Sequence, residues 1–174
     1  MTTLWTCPTI INQYAESGAE SAHIQWNNEE FDAVLSPGDQ SLTTKGELLH
    51  IARSPRVDFT NKTYFLSAAG YNFENIPDTV SGIALRLKAQ RHGRITDETV
   101  QIMVDGSPIG DNRATLSVDP VKVYGGPSDL WGIPNVSVTD LESANFGILL
   151  RFKSHPNYPH RTGATIFSLE LQIY

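Results

Sequence analysis

The segment Ile83-Ala84-Leu85-Arg86-Leu87-Lys88-Ala89-Gln90 alternates apolar and polar side chains. Ile83, Leu85, Leu87 and Ala89 fall on one side of an extended chain, and Arg86, Lys88 and Gln90 on the other. A strand with one buried face accommodates this pattern. A helix would interleave Arg86 and Lys88 with the leucines and break its own apolar stripe. The alternation returns at Val100, Ile102 and Val104, which run into the turn signal Asp105-Gly106, and at Phe146, Ile148, Leu150 and Phe152. It closes the chain, with Phe167, Leu169, Leu171 and Ile173 expected inward and Ser168, Glu170, Gln172 and Tyr174 outward.

Other segments carry weaker versions of the same signal. Tyr64, Leu66 and Ala68 share a face in residues 62–69, and the aromatic turn Gly70 to Pro77 follows. Phe31 to Leu35 runs into Ser36-Pro37-Gly38-Asp39, and Leu48, Leu49 and Ile51 precede Ser54-Pro55. Leu116, Val118, Val121 and Val123 read as an edge strand interrupted by Pro120, which cannot donate to a ladder. One helical turn is expected where Thr139-x-x-Glu142 has capping-box spacing. About six to nine short strands with regular turn signals and one helical turn predict an all-β protein. Each apolar face needs an opposing sheet. The expected architecture is therefore a two-sheet antiparallel β-sandwich over residues 31–174, with a jelly roll as the expected topology.

Residues 1–30 fit neither period. Trp5, Ile10, Ile11, Tyr14, Ile24 and Trp26 are irregularly spaced around a small-residue stretch, Ala15 to Ala22. An extended N-terminal arm anchored by its aromatics is expected, covering its own domain or reaching a neighbour. Burial of Trp5 and Trp26 supplies the driving force.

Composition narrows the function. The chain of 174 residues is 40% hydrophobic and 18% charged, which fits a folded domain. Its net charge of −6, with scattered Lys and Arg, argues against phosphate-backbone binding, and the basic residues of 86–91 read as a solvated strand face. Cys7 is the single cysteine, so an intrachain disulfide and a cysteine-based zinc site are both excluded, and a small buried hydrophobe is its expected role. The first residues carry no basic stretch followed by an apolar run, and no apolar stretch reaches the ~20 residues of a membrane helix. Assembly in a reducing cytoplasm is the expectation.

Candidate chemistry dissolves on inspection. His155 and His160 bracket Pro156-Asn157-Tyr158-Pro159, and the prolines prevent the helix that would align two imidazoles on a metal. A contact loop over residues 154–163, with His155, Tyr158 and His160, is the reading. Asp97, Asp105, Asp111 and Asp119 read as turn formers, and the calcium-loop pattern is not met. Gly125-Gly126 lacks the Lys-Ser/Thr and helix of a phosphate loop. No catalytic residue, metal ligand or cofactor site is assigned.

The most distinctive stretch is Tyr124-Gly125-Gly126-Pro127-Ser128-Asp129-Leu130-Trp131-Gly132. It combines a strand end, a glycine-rich reversal and a large aromatic. Trp131 is expected in the core; exposed, it would be a stacking platform for a sugar or a partner. Together with Tyr64-Phe65-Leu66, Gly70-Tyr71-Asn72-Phe73-x-x-Ile76-Pro77, Ser81-Gly82-Ile83 with Arg86 and Lys88, Asp97, Asp105-Gly106-x-x-Ile109-Gly110-Asp111-Asn112 and Phe146-Gly147, this stretch resembles a family of small β-rich structural proteins of tailed-bacteriophage virions. The resemblance covers residues 60–174. It implies a non-enzymatic virion component of tail, neck or capsid surface, binding copies of itself and other structural proteins; charge and apolar-run length lead to the expectation of no nucleic acid and no membrane partner. The residues assigned to structure or contact are Trp5, Trp26, Tyr124, Gly125, Gly126, Asp129, Trp131, Gly132, His155, Tyr158 and His160. The competing expectation is a carbohydrate-binding or receptor-recognition sandwich using Trp131, Tyr158 or Tyr71.

Overall fold

The computed structural model describes residues 2–17, 26, 42–43, 62–92, 95–116, 119–154 and 163–174. The strands expected at Phe31–Leu35 and Leu48–Ile51, and the residues His155, Tyr158 and His160, lie outside the described residues. Nine strands are described: β1 (Ile10–Tyr14), β2 (Leu42–Thr43), β3 (Phe65–Ala69), β4 (Ile83–His92), β5 (Ile95–Val104), β6 (Ser107–Ile109), β7 (Val121–Gly125), β8 (Gly147–Ser154) and β9 (Gly163–Ile173). One short helix, α1 (Val138–Glu142), precedes β8.

The strands form two antiparallel sheets, a five-stranded one in the order β1-β3-β8-β5-β6 and a four-stranded one in the order β2-β9-β4-β7. Their inner faces pack together as a β-sandwich. The pairings nest: β2 with β9, β3 with β8, β4 with β7 and β5 with β6. The innermost pair is joined by the Asp105-Gly106 turn, both residues at positive φ (51° and 76°) as a tight hairpin turn requires. The core is the set that alternation selects. Leu66 and Ala68 of β3, Ile83, Leu85 and Leu87 of β4, Val100 and Ile102 of β5, Ile148, Leu150 and Phe152 of β8, and Leu169, Leu171 and Ile173 of β9 are all buried together.

Three local expectations are corrected. Phe167 does not join the inward row of β9. The register between β4 and β9 shifts at Lys88/Ala89, Lys88 facing Ser168 and Ala89 facing Ile166, so Phe167 is the extra residue of a bulge. Ile166 and Ala164 take the inward places, and Phe167 sits half-exposed with the Lys88 ammonium 5.7 Å from its ring. The helical turn is capped two residues earlier than its spacing suggests. Ser137 is the N-cap and Asp140 closes the capping box, while Thr139 and Glu142 lie within the helix. Asp140's carboxyl is held below its ordinary pKa by the Ser137 backbone and side-chain hydrogen bonds. Asp97, read as a turn former, lies within β5, next to an irregularity in the pairing with β8.

The N-terminal segment is hydrogen-bonded to both sheets. Thr3 and Thr6 donate to Ile173 and Leu171 of β9 (2.9 and 2.8 Å), extending the sheet edge that β2 occupies farther along. The chain then crosses to the other sheet, where β1 pairs with β3 from Ile10↔Ala69 to Tyr14↔Phe65. Sequence periodicity missed β1 because its outer face carries Ile10 and Tyr14, both more than a third exposed, and blurs the alternation.

Candidate functional site

The distinctive stretch forms a corner between β7 and the loop that leads to α1. Gly125 takes a left-handed backbone (φ +72°). A Cβ there would sit 2.1 Å from the Ile83 carbonyl oxygen and 2.5 Å from the Trp131 indole nitrogen, so only glycine fits. Gly126 faces open space, and a side chain there would meet nothing within 4 Å. Its N–H donates to Ile83 O (3.1 Å), and the Ile83 N–H donates to Asp129 O (3.0 Å). The carboxylate of Asp129 accepts from the Trp131 N–H at 2.8 Å and from Arg113 at 2.7 Å. Trp131 is fully buried, and its indole N–H donates to Ile83 O at 2.9 Å. Trp131 and Gly132 both have positive φ (58° and 71°), and the Trp131 carbonyl accepts from Asp111 N–H. The corner is therefore clamped to the start of β4 through the backbone of Ile83, whose oxygen accepts from Gly126 and Trp131 and whose N–H donates to Asp129. Trp131 is a core plug, so the alternative in which it stacks on a sugar is set aside.

Tyr124, the last inward residue of β7, reaches a buried polar network. Its hydroxyl donates to Asp97, and Asp97 pairs with Arg91 at 2.7 Å; both charged side chains are essentially inaccessible to solvent. Arg91 also donates to Asp119 O at 2.7 Å and lies 5.3 Å from the Phe152 ring. Burial, then the charge of Asp97 and the hydrogen bond to it, push the Tyr124 hydroxyl far above an ordinary tyrosine; Arg91 opposes them. Arg91, read as part of a solvated strand face, is thus a correction. The signal was present in the pattern, because Arg91 follows Ile83, Leu85, Leu87 and Ala89 in the inward row. The outward Arg86 is also engaged, making two hydrogen bonds to Glu170 (2.8 and 2.6 Å).

The two N-terminal tryptophans are placed differently. Trp26 is fully buried, donates to Tyr64 O at 3.1 Å and packs against Phe152. Gln13 holds its backbone through both amide atoms. Trp5 is half-buried on the outside of the four-stranded sheet, with the Arg86 guanidinium 4.5 Å from its ring. Cys7 is half-buried rather than buried, and burial followed by the nearby Glu170 raises its thiol above the usual range. A thiol held protonated is a poor nucleophile. Tyr71 is buried, so it too is unavailable as a platform. Its hydroxyl has no hydrogen-bond partner among the described residues, and burial, then Cys7 and Glu170, push its pKa well up.

An open surface borders the corner. Ala89 N–H donates to Pro120 O and Gly126 N–H to Ile83 O, so by antiparallel alternation Lys122 and Tyr124 bond β4 while Val121 and Val123 turn their backbone groups away. These groups find no partner among the described residues. The side chains of Val121 and Val123 are 52% and 53% exposed, and Leu116 just upstream is 75% exposed.

These features define a two-sheet antiparallel β-sandwich with a clamped corner and an apolar edge that is open among the described residues. Comparison with protein-family models, with curated proteins and with solved structures gives no match.

Proposed function

We propose that this chain is a non-enzymatic structural component of a tailed-phage virion, in the tail, the neck or collar, or as capsid decoration, and works by protein–protein assembly. The observation that carries the reading is the edge of β7. An edge strand with unpaired backbone groups and outward valines is a template for another strand, and monomeric proteins normally blunt such edges with charge, bulges or cover. The partner fitted to it is a second copy. Antiparallel pairing of β7 with β7 across a two-fold axis satisfies the same backbone groups on both copies and sets Val121 and Val123 against their own equivalents, an isologous contact.

Two further features support the reading. The nested pairings, with successive strands passing from sheet to sheet, favour a jelly roll, an architecture used by viral capsid and lectin domains. That analogy speaks to fold and leaves function to the surfaces. The residues that carry the resemblance to phage structural proteins, Tyr124, Gly125, Asp129 and Trp131 among them, serve here to build a rigid body. The other proposed partners are further virion proteins, and the proposed location is the virion, assembled in the host bacterial cytoplasm.

Light scattering on the eluting protein tests this. The wild type should run as a dimer or larger assembly and Val123→Lys as a monomer, with stability within about 0.5 kcal/mol of the parent because the site is exposed. A wild-type monomer that is also missing from purified particles by mass spectrometry would overturn the proposal.

A further inference from the structure

The outer face of the five-stranded sheet carries a groove of about 180 Å³ that no step above uses. It runs from β1 across β3 and β5 to the turn before β8. Ala69 and Met103 supply apolar surface, and between them in register lies Gly147, which contributes no side chain. Tyr14 forms one wall, 45% exposed. Asn12, Ser67 and Asn145 supply polar lining, and their side chains have no partner among the described residues.

We propose that this groove binds a single ring of a neutral saccharide. Size sets the first limit: the groove is well below the roughly 300–1,000 Å³ of sites for drug-sized ligands, so one small ring fills it. Charge sets the second. Every lining residue is uncharged, which disfavours phosphates, carboxylates and ammonium groups. Hydrogen bonding sets the third. Two primary amides and a hydroxyl offer both donors and acceptors, matching the adjacent hydroxyls of a sugar, each of which donates and accepts. The apolar face of the ring is met by Tyr14, whose own placement is fixed. Tyr14 stacks on Phe65 (centroids 5.3 Å apart, planes at 28°), and the Arg151 guanidinium lies 4.4 Å from the Phe65 ring. Arg151 is in turn held by Glu16 and Glu98, each at 3.0 Å. An aromatic wall held in place before binding loses little freedom on binding. The groove uses neither Trp131 nor Tyr71, and its occupancy is independent of the virion reading.

The test is a heteronuclear NMR titration of the intact chain with free glucose, galactose, mannose and N-acetylglucosamine, each to about 20 mM, well above a millimolar Kd. At least one should shift the amide signals of Asn12 to Tyr14, Ala69 and Asn145, and glucuronate should not. Tyr14→Ala should weaken that binding about ten-fold, the scale of one lost aromatic contact. Asn145→Ala, in a loop outside the sheet, should weaken it several-fold with the melting temperature unchanged, which separates binding from folding. Silence with all four sugars, shifts confined to other residues, or shifts that survive both substitutions would each overturn the proposal.

Discussion

The Tyr124–Gly132 corner and the groove on the opposite sheet are both lined with aromatic and polar side chains, yet one is committed and the other is not. In the corner, the Trp131 indole, the Asp129 carboxylate and the Ile83 carbonyl all bond one another or their immediate neighbours. In the groove, Asn12, Ser67 and Asn145 have no side-chain partner among the described residues, and Tyr14 keeps nearly half its surface. Chemical richness in a sequence therefore does not distinguish a site from a support. Whether the groups are already satisfied does.

The largest effect expected of that contrast is at Trp131. Trp131→Ala should cost roughly 3–5 kcal/mol in denaturant melts, through lost burial and the cavity left behind. A loss below about 1 kcal/mol would show the corner to be as dispensable as the groove.

Tyr124→Phe comes next, removing a hydrogen bond to a buried carboxylate at a cost of about 1.5–3 kcal/mol. The pH dependence has a fixed sign. Because the folded-state pKa of Tyr124 is raised, its contribution is complete below the ordinary tyrosine value of about 10 and declines as pH rises past it, when the unfolded chain ionises first. Melts from about pH 8 to about pH 11 should fall less steeply for the variant than for the parent. Equal slopes would mean that Tyr124 is not held neutral by its neighbours.

The smallest effect is expected at Tyr71, a buried tyrosine like Tyr124 but without a partner for its hydroxyl among the described residues. Tyr71→Phe should leave stability unchanged or raise it by up to about 1 kcal/mol, since it removes an unsatisfied buried group. A clear loss of stability would reveal a partner and erase the difference between the two tyrosines.

The central strands were legible because each buries one face and exposes the other, as Ile83 to Gln90 does. Legibility failed where a third influence entered. Residues Ile10–Tyr14 hid because their outward side is apolar, and Phe167 was misplaced because a bulge exchanges the two faces without marking the sequence. In the sequence Asp97 reads as a turn former because Asp bonds its own backbone in turns, and Arg91 as surface because charge is normally solvated. Their burial depends on meeting each other and Tyr124 across the fold, and no local pattern encodes that meeting. The groove was illegible for a related reason: Asn12, Ser67, Met103 and Asn145 come from four separate segments, and only the sheet order brings them together.

One feature of the topology bears on how the protein is made. Strand β9 lies in the middle of the four-stranded sheet, with Thr3–Thr6 and β2 along one side and β4 along the other. A ribosome releases those flanking segments long before residues 163–173. While synthesis continues, β4 lacks the central neighbour that its sheet requires, and its hydrophobic row is open to other nascent chains. Completion of this sheet consequently waits for residues 163–173 and is dominated by distant pairings, a slow class of topology. The interval before β9 arrives is when this chain is most vulnerable to aggregation.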